Sequence, residues 1–269
     1  MSNIKIVFLD IDETLLYRPD GVEQYIPPEN KEVIKKVREK GIHVVLTTGR
    51  ALPLVMQTAK KVGLEDDYLI TTSGALITKN DETIVDNLIS NESLKIITNF
   101  IVENNLYFQY FHKSDYFIEK HNEYTDYYEK MTKIYPIEIG KDVYQLKDIR
   151  RIIISTKDKE MMNKIVDLVK NMKDVEYLLF WNDWIEIDSH LSTKGNAIKK
   201  LCELLNVDLK ETMGIGDETN DIPMWDVVGY PVVMGQAKEE LKQGRIVTDT
   251  VQNAGVAKIL KKYCLDDEN

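Results

Sequence analysis

The spacing of hydrophobic and polar positions predicts alternating strands and helices near both ends of the chain. Residues 4–9 form a short uninterrupted apolar run, which is typical of a strand buried on both faces. Apolar residues then recur with helical spacing over 29–40, and Gly41 supplies a stop signal. Further strands are predicted at 42–46, 68–71, 211–215 and 231–234, and further helices at 51–62, 194–205, 221–228 and 255–263. This order with short loops predicts an α/β fold with a parallel, doubly wound, Rossmann-like sheet.

The middle of the chain has a different pattern. Sixteen of the 23 aromatic residues lie between residues 82 and 188, whereas only one of the 13 glycines, Gly140, lies there. Short strand-like runs predict a hairpin, a helix between two strands, and a second hairpin that turns through Asn182 and Asp183. These elements are predicted at 106–111, 116–119, 149–155, 159–171, 176–180 and 184–187. We therefore expect an α+β domain over 82–188, inserted into a discontinuous core of 1–81 and 189–269.

Composition restricts the possible partners. The chain has 45 acidic and 35 basic residues, and the resulting formal charge of −10 disfavours nucleic-acid binding and docking on an anionic membrane. No apolar run approaches the roughly 18–20 residues that cross a bilayer. Acidic residues occur too close to the start of the sequence for a secretory signal. The sequence has two cysteines, which do not imply a disulfide framework. We expect a cytoplasmic protein that is a monomer or a small homo-oligomer, with no nucleic-acid or membrane partner.

Acidic residues follow the first predicted strand, in the segment Asp10-Ile11-Asp12-Glu13-Thr14-Leu15. Ligands of open α/β sheets bind beyond the carboxyl ends of the strands, where this segment lies. Two carboxylates separated by one residue can converge on one cation, and Mg²⁺ prefers such oxygen ligands. The alternative is a polar turn in which an Asp caps the next helix.

A second acidic segment, Gly216-Asp217-Glu218-Thr219-Asn220-Asp221, follows the predicted strand at 211–215. Gly214 and Gly216 suggest part of a dinucleotide-binding fingerprint, but the third glycine is missing. Carboxylates at two strand ends of one sheet repel each other unless a cation joins them. The two acidic segments together predict a bound divalent metal.

Two further segments offer groups that bind anions. Thr47-Thr48-Gly49-Arg50 follows the second predicted strand and supplies a hydroxyl and backbone N–H groups at a helix start. Ser192-Thr193-Lys194-Gly195 opens another helix and supplies one ammonium group. The simpler alternatives are that Thr48 only caps a helix and that Lys194 is a surface lysine. The presence of all four segments together favours a phosphate site.

These segments resemble, in the same order, the four motifs of the haloacid dehalogenase (HAD) superfamily of phosphotransferases. DIDETL resembles motif one, TTGR motif two, STKGNAI motif three and GDETNDIPM motif four. Patterns at 233–235 and 254–256 are similar to the Cof-type subgroup of small-metabolite phosphatases, which places an α+β cap where the mid-chain domain falls. The sequence departs from the family at Glu13, where Gly is usual, and at Ser73 and Gln236, where Asn is usual.

The resemblance implies a phosphatase that hydrolyses phosphate monoesters of small metabolites through an aspartyl-phosphate. Asp10 would be the nucleophile, and Asp12 would donate and later accept a proton. The implied catalytic residues are Asp10, Asp12, Thr48 and Lys194. The implied phosphate-binding and supporting residues are Asp10, Thr14, Thr48, Gly49, Arg50, Lys194 and Asn220. The implied Mg²⁺ site comprises Asp10, Asp12 through its backbone carbonyl, Asp217, and Asp221 as a supporting residue.

Other functions remain open at this level. A phosphomutase-type phosphotransferase uses the same core, and a receiver-like domain also clusters Asp, Thr and Lys around Mg²⁺, although receivers are shorter and lack a cap. A non-catalytic module that binds a phosphorylated ligand is the third alternative. Within the cap, aromatic and histidine side chains are candidates for a specificity surface or, alternatively, for the core of a small sheet. These candidates are Tyr110, His112, Trp181 and Trp184.

Overall fold

The computed structural model describes residues 3–18, 24–80, 82–180 and 183–265. Its strands are β1 (Ile6–Leu9), β2 (His43–Thr47), β3 (Leu69–Thr71), β4 (Leu76–Lys79), β5 (Glu82–Asp86), β6 (Tyr107–Phe111), β7 (Tyr116–Ile118), β8 (Ile137–Glu138), β9 (Arg151–Ser155), β10 (Val175–Phe180), β11 (Trp184–Ser189), β12 (Thr212–Gly216), β13 (Tyr230–Val233) and β14 (Ile246–Val247). Its α-helices are α1 (Pro28–Glu39), α2 (Leu52–Val62), α3 (Asn91–Glu103), α4 (Glu123–Thr132), α5 (Lys159–Val169), α6 (Lys194–Leu205), α7 (Ile222–Trp225), α8 (Glu239–Lys242) and α9 (Gly255–Leu260).

Internal contacts divide the chain into two units. The first comprises Met1–Arg50, Val55–Ile84 and Thr193–Asn269. The second comprises Ala51–Leu54 and Val85–Ser192. The first unit is therefore built from separate stretches of sequence, and most of the second unit is one continuous stretch.

The first unit contains a mostly parallel sheet with the strand order β14-β13-β12-β1-β2-β3-β4-β5. Strand β1 pairs in parallel with β2 on one side and with β12 on the other, so that Ile6 lies opposite His43 and Thr212. From β1 the chain moves outward through β2 and β3, and it later moves outward in the other direction through β12, β13 and β14. The predicted doubly wound α/β fold is confirmed. Its topological switch point lies between β1 and β12, where ligands bind in such sheets.

Local sequence explains most of these elements. Every residue of β1 is buried, as expected for a strand covered on both faces. Helix α1 begins at Pro28, a residue favoured in the first turn, and buries Val33, Ile34 and Val37. The helix predicted at 221–228 is shorter, because a 3₁₀ turn at Thr219–Asp221 precedes α7. The short elements β4, β5, β14 and α8 carry too little periodic signal to be predicted.

The second unit is an α+β unit whose sheet has the strand order β10-β11-β9-β6-β7-β8. Both predicted hairpins are present, because β6 pairs antiparallel with β7 and β10 pairs antiparallel with β11. One face of the sheet forms a hydrophobic core with α3 and α5. The other face carries a smaller aromatic cluster that includes Tyr124 and Tyr128 of α4.

The aromatic candidates of the second unit are largely core residues. Tyr110 is only 1% exposed and its hydroxyl lies 2.5 Å from Thr98 Oγ1. Trp184 is 6% exposed and belongs to the smaller aromatic cluster. His112 is partly buried, with Nε2 2.7 Å from the carbonyl oxygen of Lys147. Trp181 lies outside the described residues.

The helices of the described residues do not meet the requirements of a membrane span. None of them combines the length and the apolar character that such a span requires.

Candidate active site

The two central strands of the first unit bring three carboxylates together. Asp10 follows β1, and its backbone N–H donates to the carbonyl oxygen of Ile215 in β12 at 3.0 Å. Asp217 directly follows β12, and Asp221 lies one turn further along. Carboxylate oxygens of Asp10, Asp217 and Asp221 all lie within 4.8 Å of one another. We refer to these three side chains as the carboxylate cluster.

Lys194 supplies the positive charge within the carboxylate cluster. The side chain is 2% exposed, and Nζ donates to Asp10 Oδ1 at 2.6 Å and to Asp221 Oδ1 at 2.5 Å. Lys194 is the first residue of α6, and the side chain of the preceding Thr193 caps that helix by accepting from the backbone N–H of Asn196. Burial by itself would lower the pKa of Lys194, but the adjacent Asp10 and Asp221 raise it well above its ordinary value. The ammonium group therefore remains charged.

The carboxylate cluster carries more negative charge than Lys194 offsets. Burial, with repulsion from Asp221 and Asp12, raises the pKa of Asp10 to about 7 even though Lys194 acts in the opposite direction. Burial, with repulsion from Asp10 and Asp221, raises the pKa of Asp217 to about 8. Shifts of this kind are expected where carboxylates crowd together without a sufficient counter-charge. A divalent cation would supply that charge, and an all-oxygen donor set suits Mg²⁺.

Gly216 allows Asp221 to reach the cluster. A Cβ atom at residue 216 would lie 2.3 Å from Cγ of Asp221, closer than real contacts allow. Asp221 is fully buried, and its Oδ2 accepts from the backbone N–H groups of Asp217 at 2.9 Å and Glu218 at 3.3 Å. The glycine of GDETND thus has a steric role, different from that of a dinucleotide-binding glycine.

The carboxylate of Asp12 is held by two arginines. Arg50 donates from Nε to Asp12 Oδ2 at 2.8 Å and from Nη2 to Oδ1 at 2.6 Å. Nη2 of Arg18 lies 2.8 Å from the same Oδ1 atom. Burial alone would raise the pKa of Asp12, but hydrogen bonds and charge from Arg50, with the charge of Arg18, hold it below its ordinary value. The Asp12 carboxylate is thus paired with two arginines and is not part of the carboxylate cluster.

No motif in the sequence points to Arg18 as a site residue. It follows the first motif as an ordinary arginine, and its spacing contains no signal that would distinguish it from a surface residue. Glu13 helps to place it, because Glu13 Oε1 accepts from the backbone N–H of Arg18 at 3.0 Å. Glu13 also has φ +52°, a left-handed conformation that glycine adopts more easily, which accounts for the Gly usual in the family at this position. The side chain of Gln236 donates to the backbone carbonyl of Glu13 and accepts from the N–H of Val251 at 3.1 Å.

The other motif residues also follow the carboxyl ends of strands in the sheet of the first unit. Thr14 Oγ1 donates to Asp217 Oδ1 at 3.2 Å, which links the first and fourth motifs. Thr48 is buried directly after β2, and its carbonyl oxygen accepts from the N–H of Ser73 at 3.0 Å. Gly49 is close to Ser73 as well, since a Cβ at residue 49 would lie 3.4 Å from Ser73 Oγ. Asn220 is exposed in the 3₁₀ turn before α7.

Comparison with known proteins identifies the family. The family model for haloacid dehalogenase-like hydrolases matches residues 7–260, and the chain therefore belongs to this family. The resemblance of its motifs to Cof-type HAD phosphatases is confirmed, and the protein is a HAD-type hydrolase of the phosphatase class.

Two curated relatives come from Bacillus subtilis strain 168, and both are named as 5-amino-6-(5-phospho-D-ribitylamino)uracil phosphatases. YcsE is 26% identical over 98% of this chain and 97% of its own length. YwtE is 27% identical over 94% of this chain and 96% of its own length.

Solved structures show the same fold. TM0651 from Thermotoga maritima superposes with a TM-score of 0.86 at 25% identity, covering 98% of this chain and 100% of that protein. The HAD subclass IIB sugar phosphatase BT4131 superposes with a TM-score of 0.80 at 22% identity, covering 97% of this chain and 99% of that protein.

Proposed function

We propose that this protein is a Mg²⁺-dependent phosphatase that hydrolyses phosphate monoesters of small metabolites through an aspartyl-phosphate on Asp10. The observation that carries the proposal is the buried contact of Lys194 with Asp10 and Asp221 at the switch point of the sheet. Burial of a lysine with two acids, beside the half-buried Asp217, is costly for folding, since buried charges require compensation from partners. Catalysis of phosphoryl transfer is a reason to maintain such a group.

The carboxylate cluster fits a magnesium ion. Asp10, Asp217 and the backbone carbonyl of Asp12 would hold the ion, with Asp221 as a supporting carboxylate. When bound, Mg²⁺ supplies charge neutralisation and polarises a phosphoryl oxygen. The raised pKa values of Asp10 and Asp217 support this assignment, because burial and repulsion between the carboxylates both disfavour the ionised forms, and a cation would favour them.

Asp10 is proposed as the nucleophile. One of its carboxylate oxygens would form a bond to phosphorus while the bond between phosphorus and the leaving oxygen breaks. Water would then attack the aspartyl-phosphate and release inorganic phosphate and free Asp10. Lys194 and Thr48 would hold the phosphoryl oxygens, with Thr14, Gly49 and Asn220 in supporting roles. Positioning and charge stabilisation of this kind supply most of the acceleration in phosphoryl transfer.

Asp12 is proposed to donate a proton to the leaving alkoxide and to accept one from the attacking water. Arg50 and Arg18 favour its carboxylate form, which suits the second step directly. The first step requires protonated Asp12, so these arginine contacts must weaken when an anionic substrate enters. We propose that Arg50 then turns toward the phosphoryl group.

We propose that the α+β domain at 82–188 acts as a cap domain, and that 1–81 and 189–269 form the discontinuous catalytic core. The proposed substrates are sugar phosphates or phosphorylated cofactor precursors, a class that includes the compound for which YcsE and YwtE are named. The acidic composition disfavours nucleic acid and anionic membranes as partners, which leaves such metabolites as the expected ligands. We further propose that the protein is cytoplasmic and acts as a monomer or a small homo-oligomer.

Release of phosphate from an aryl phosphate, measured with Mg²⁺ and with excess EDTA, tests the proposal. We expect release that requires Mg²⁺ and is lost in Asp10→Asn. No release under either condition would favour a non-catalytic phospho-ligand module. A panel of sugar phosphates and the ribitylaminouracil phosphate, compared by kcat/KM, identifies the substrate class. Transfer to a second sugar hydroxyl without free phosphate would identify a phosphomutase instead.

A further inference from the structure

We propose that the second unit contains a separate site for a transition-metal ion such as Zn²⁺, with His121 and Glu129 as ligands and Asp126 as the carboxylate that orients the imidazole ring. One ligand atom from each of these residues lies within 4.8 Å of the others. The site shares no residue with the carboxylate cluster, so the proposal does not depend on the proposed catalytic function.

The start of α4 positions these side chains. Asn122 caps the helix, with its side-chain oxygen accepting from the backbone N–H of Tyr124 at 3.0 Å and of Thr125 at 3.3 Å. These hydrogen bonds of Asn122 fix the backbone at the start of α4 and thereby the position of the preceding residue, His121. Asp126 and Glu129 are three residues apart and therefore lie on one face of the helix. The contacts of His121 with Asp126 and Glu129 therefore require no rearrangement of the backbone.

The distances suit coordination of one ion. His121 Nε2 lies 3.1 Å from Glu129 Oε1. Ligands that each sit about 2.1 Å from a metal are separated by about 3.0–3.5 Å at ordinary coordination angles. On the other side of the ring, His121 Nδ1 lies 3.7 Å from Asp126 Oδ1. A metal-binding histidine commonly directs its second nitrogen to a carboxylate in this way, which orients the ring.

Charge around His121 favours a cation. Glu138 Oε2 accepts from the backbone N–H of His121 at 3.0 Å, so three carboxylates surround this residue. Within the described residues, neither Asp126 nor Glu129 forms an ion pair with Lys or Arg. The positive end of the α4 dipole acts against a bound cation, but it amounts to only about half a charge. The carboxylates outweigh it.

One residue of the proposed site, His121, also lines a cavity. A cavity of about 470 Å³ in the second unit is lined by His121, Tyr107 and Ser155, among other residues. Ser155 is 2% exposed, and its Oγ has no hydrogen-bond partner among the described residues. A polar cavity of this size holds water molecules or a small oxygen ligand that completes the coordination of a metal.

The ligand set distinguishes this site from the carboxylate cluster. Imidazole nitrogen favours Zn²⁺, Ni²⁺ or Cu²⁺, whereas Mg²⁺ prefers oxygen donors and retains its water. Saturating Mg²⁺ should therefore occupy the carboxylate cluster and leave the His121 site available to Zn²⁺.

Zn²⁺ titration of the full-length protein in saturating Mg²⁺ tests the proposal by calorimetry. Diethyl pyrocarbonate labelling with mass spectrometry then reports each histidine separately. We expect Zn²⁺ to protect His121 from labelling but to leave His112 and His190 reactive. His121→Ala and Glu129→Gln should lose this binding, and Asp126→Asn should weaken it by about 10- to 100-fold.

Glu123→Gln is the matched control, because Glu123 lies in the same helical turn but pairs with Lys157. It should bind Zn²⁺ as the wild type does. Circular dichroism establishes that each variant is folded. The proposal would be overturned by unchanged Zn²⁺ binding in folded Glu129→Gln, or by labelling of His121 that Zn²⁺ does not reduce.

Discussion

Arg50 contacts both carboxylate oxygens of Asp12, through Nε at 2.8 Å and Nη2 at 2.6 Å. Such a bidentate pair fixes the direction of the carboxylate as well as its charge. The residue proposed as proton donor is therefore oriented before substrate arrives, but in its ionised form. Substrate binding must change this contact if Asp12 is to donate a proton.

Replacement of Asp12 tests its role as proton donor. Asp12→Ala should reduce kcat by about 10²- to 10⁴-fold for alkyl phosphates, since their leaving groups require protonation. Aryl phosphates with acidic leaving groups should be affected much less in the first step. Steady-state kinetics over a series of leaving groups measures the difference. Equal losses across the series would exclude the role of general acid.

Replacement of Asp10 tests the nucleophile. Asp10→Asn keeps the size of the side chain but removes its nucleophilic oxygen, so turnover should fall by at least about 10³-fold while the protein remains folded. Mass spectrometry of wild-type protein quenched with acid during turnover should show a phosphorylated peptide that contains Asp10. Near wild-type turnover in the variant would refute the assignment.

Replacement of Lys194 tests the charge balance of the carboxylate cluster. Lys194→Met removes the partner of Asp10 and Asp221 and should lower the free energy of unfolding by about 3–5 kcal/mol. Mg²⁺ should recover more stability in this variant than in the wild type, because the cluster then lacks its only lysine. Urea unfolding with Mg²⁺ and with EDTA measures both effects. A loss of stability that Mg²⁺ does not reduce would argue against metal binding by these acids.

Replacement of Gly216 tests the steric requirement at the end of β12. Gly216→Ala introduces a Cβ that must displace Asp221, so we expect a loss of about 1–3 kcal/mol in stability and weaker Mg²⁺ activation. For the stability measurement alone, Gly49→Ala is a useful comparison, because the nearest contact of a Cβ there, at 3.4 Å, is ordinary. Thermal unfolding and the Mg²⁺ dependence of kcat provide the measurements. Wild-type values in Gly216→Ala would show that the 216–221 turn can adjust freely.

Asp67 should make stability depend on acid pH. Its Oδ1 lies 3.0 Å from His43 Nδ1 and accepts from the N–H of Tyr68 at 2.9 Å, while Oδ2 accepts from the N–H of Val44 at 3.3 Å. Burial alone would raise the pKa of Asp67, but these hydrogen bonds lower it below its value in the unfolded chain. A lowered pKa contributes stability above the unfolded value, and this contribution is lost as pH falls through the folded value.

Asp67→Asn cannot titrate, so the difference in unfolding free energy between wild type and variant should have its full value above the ordinary Asp pKa of 3.8. It should shrink as the pH approaches about 3. Urea unfolding at a series of pH values measures it. A difference that stays constant, or grows as the pH falls, would contradict the expected sign.

Short-range pattern determined most of the architecture of the first unit and selected the candidate site residues. The buried run of β1 and the helical spacing of α1 are local properties, and they predict a parallel sheet because alternating elements with short loops have few other arrangements. Asp10, Asp12 and Asp217 could be selected because each follows a strand, and the carboxyl ends of parallel strands share one edge.

Tertiary structure alone decided which of these groups meet. Lys194 and Asp10 are 184 residues apart, and no local pattern specifies a bond of 2.6 Å between them. The ion pair between Arg18 and Asp12 follows a turn in which Glu13 has a left-handed backbone conformation. Glutamate rarely adopts that conformation, so the residue type gives no hint of the turn. The position of each acidic residue at the end of a strand thus predicted that the carboxylates would lie close together. Their ion-pair partners and their pKa values depend on burial and distance, which only the folded chain defines.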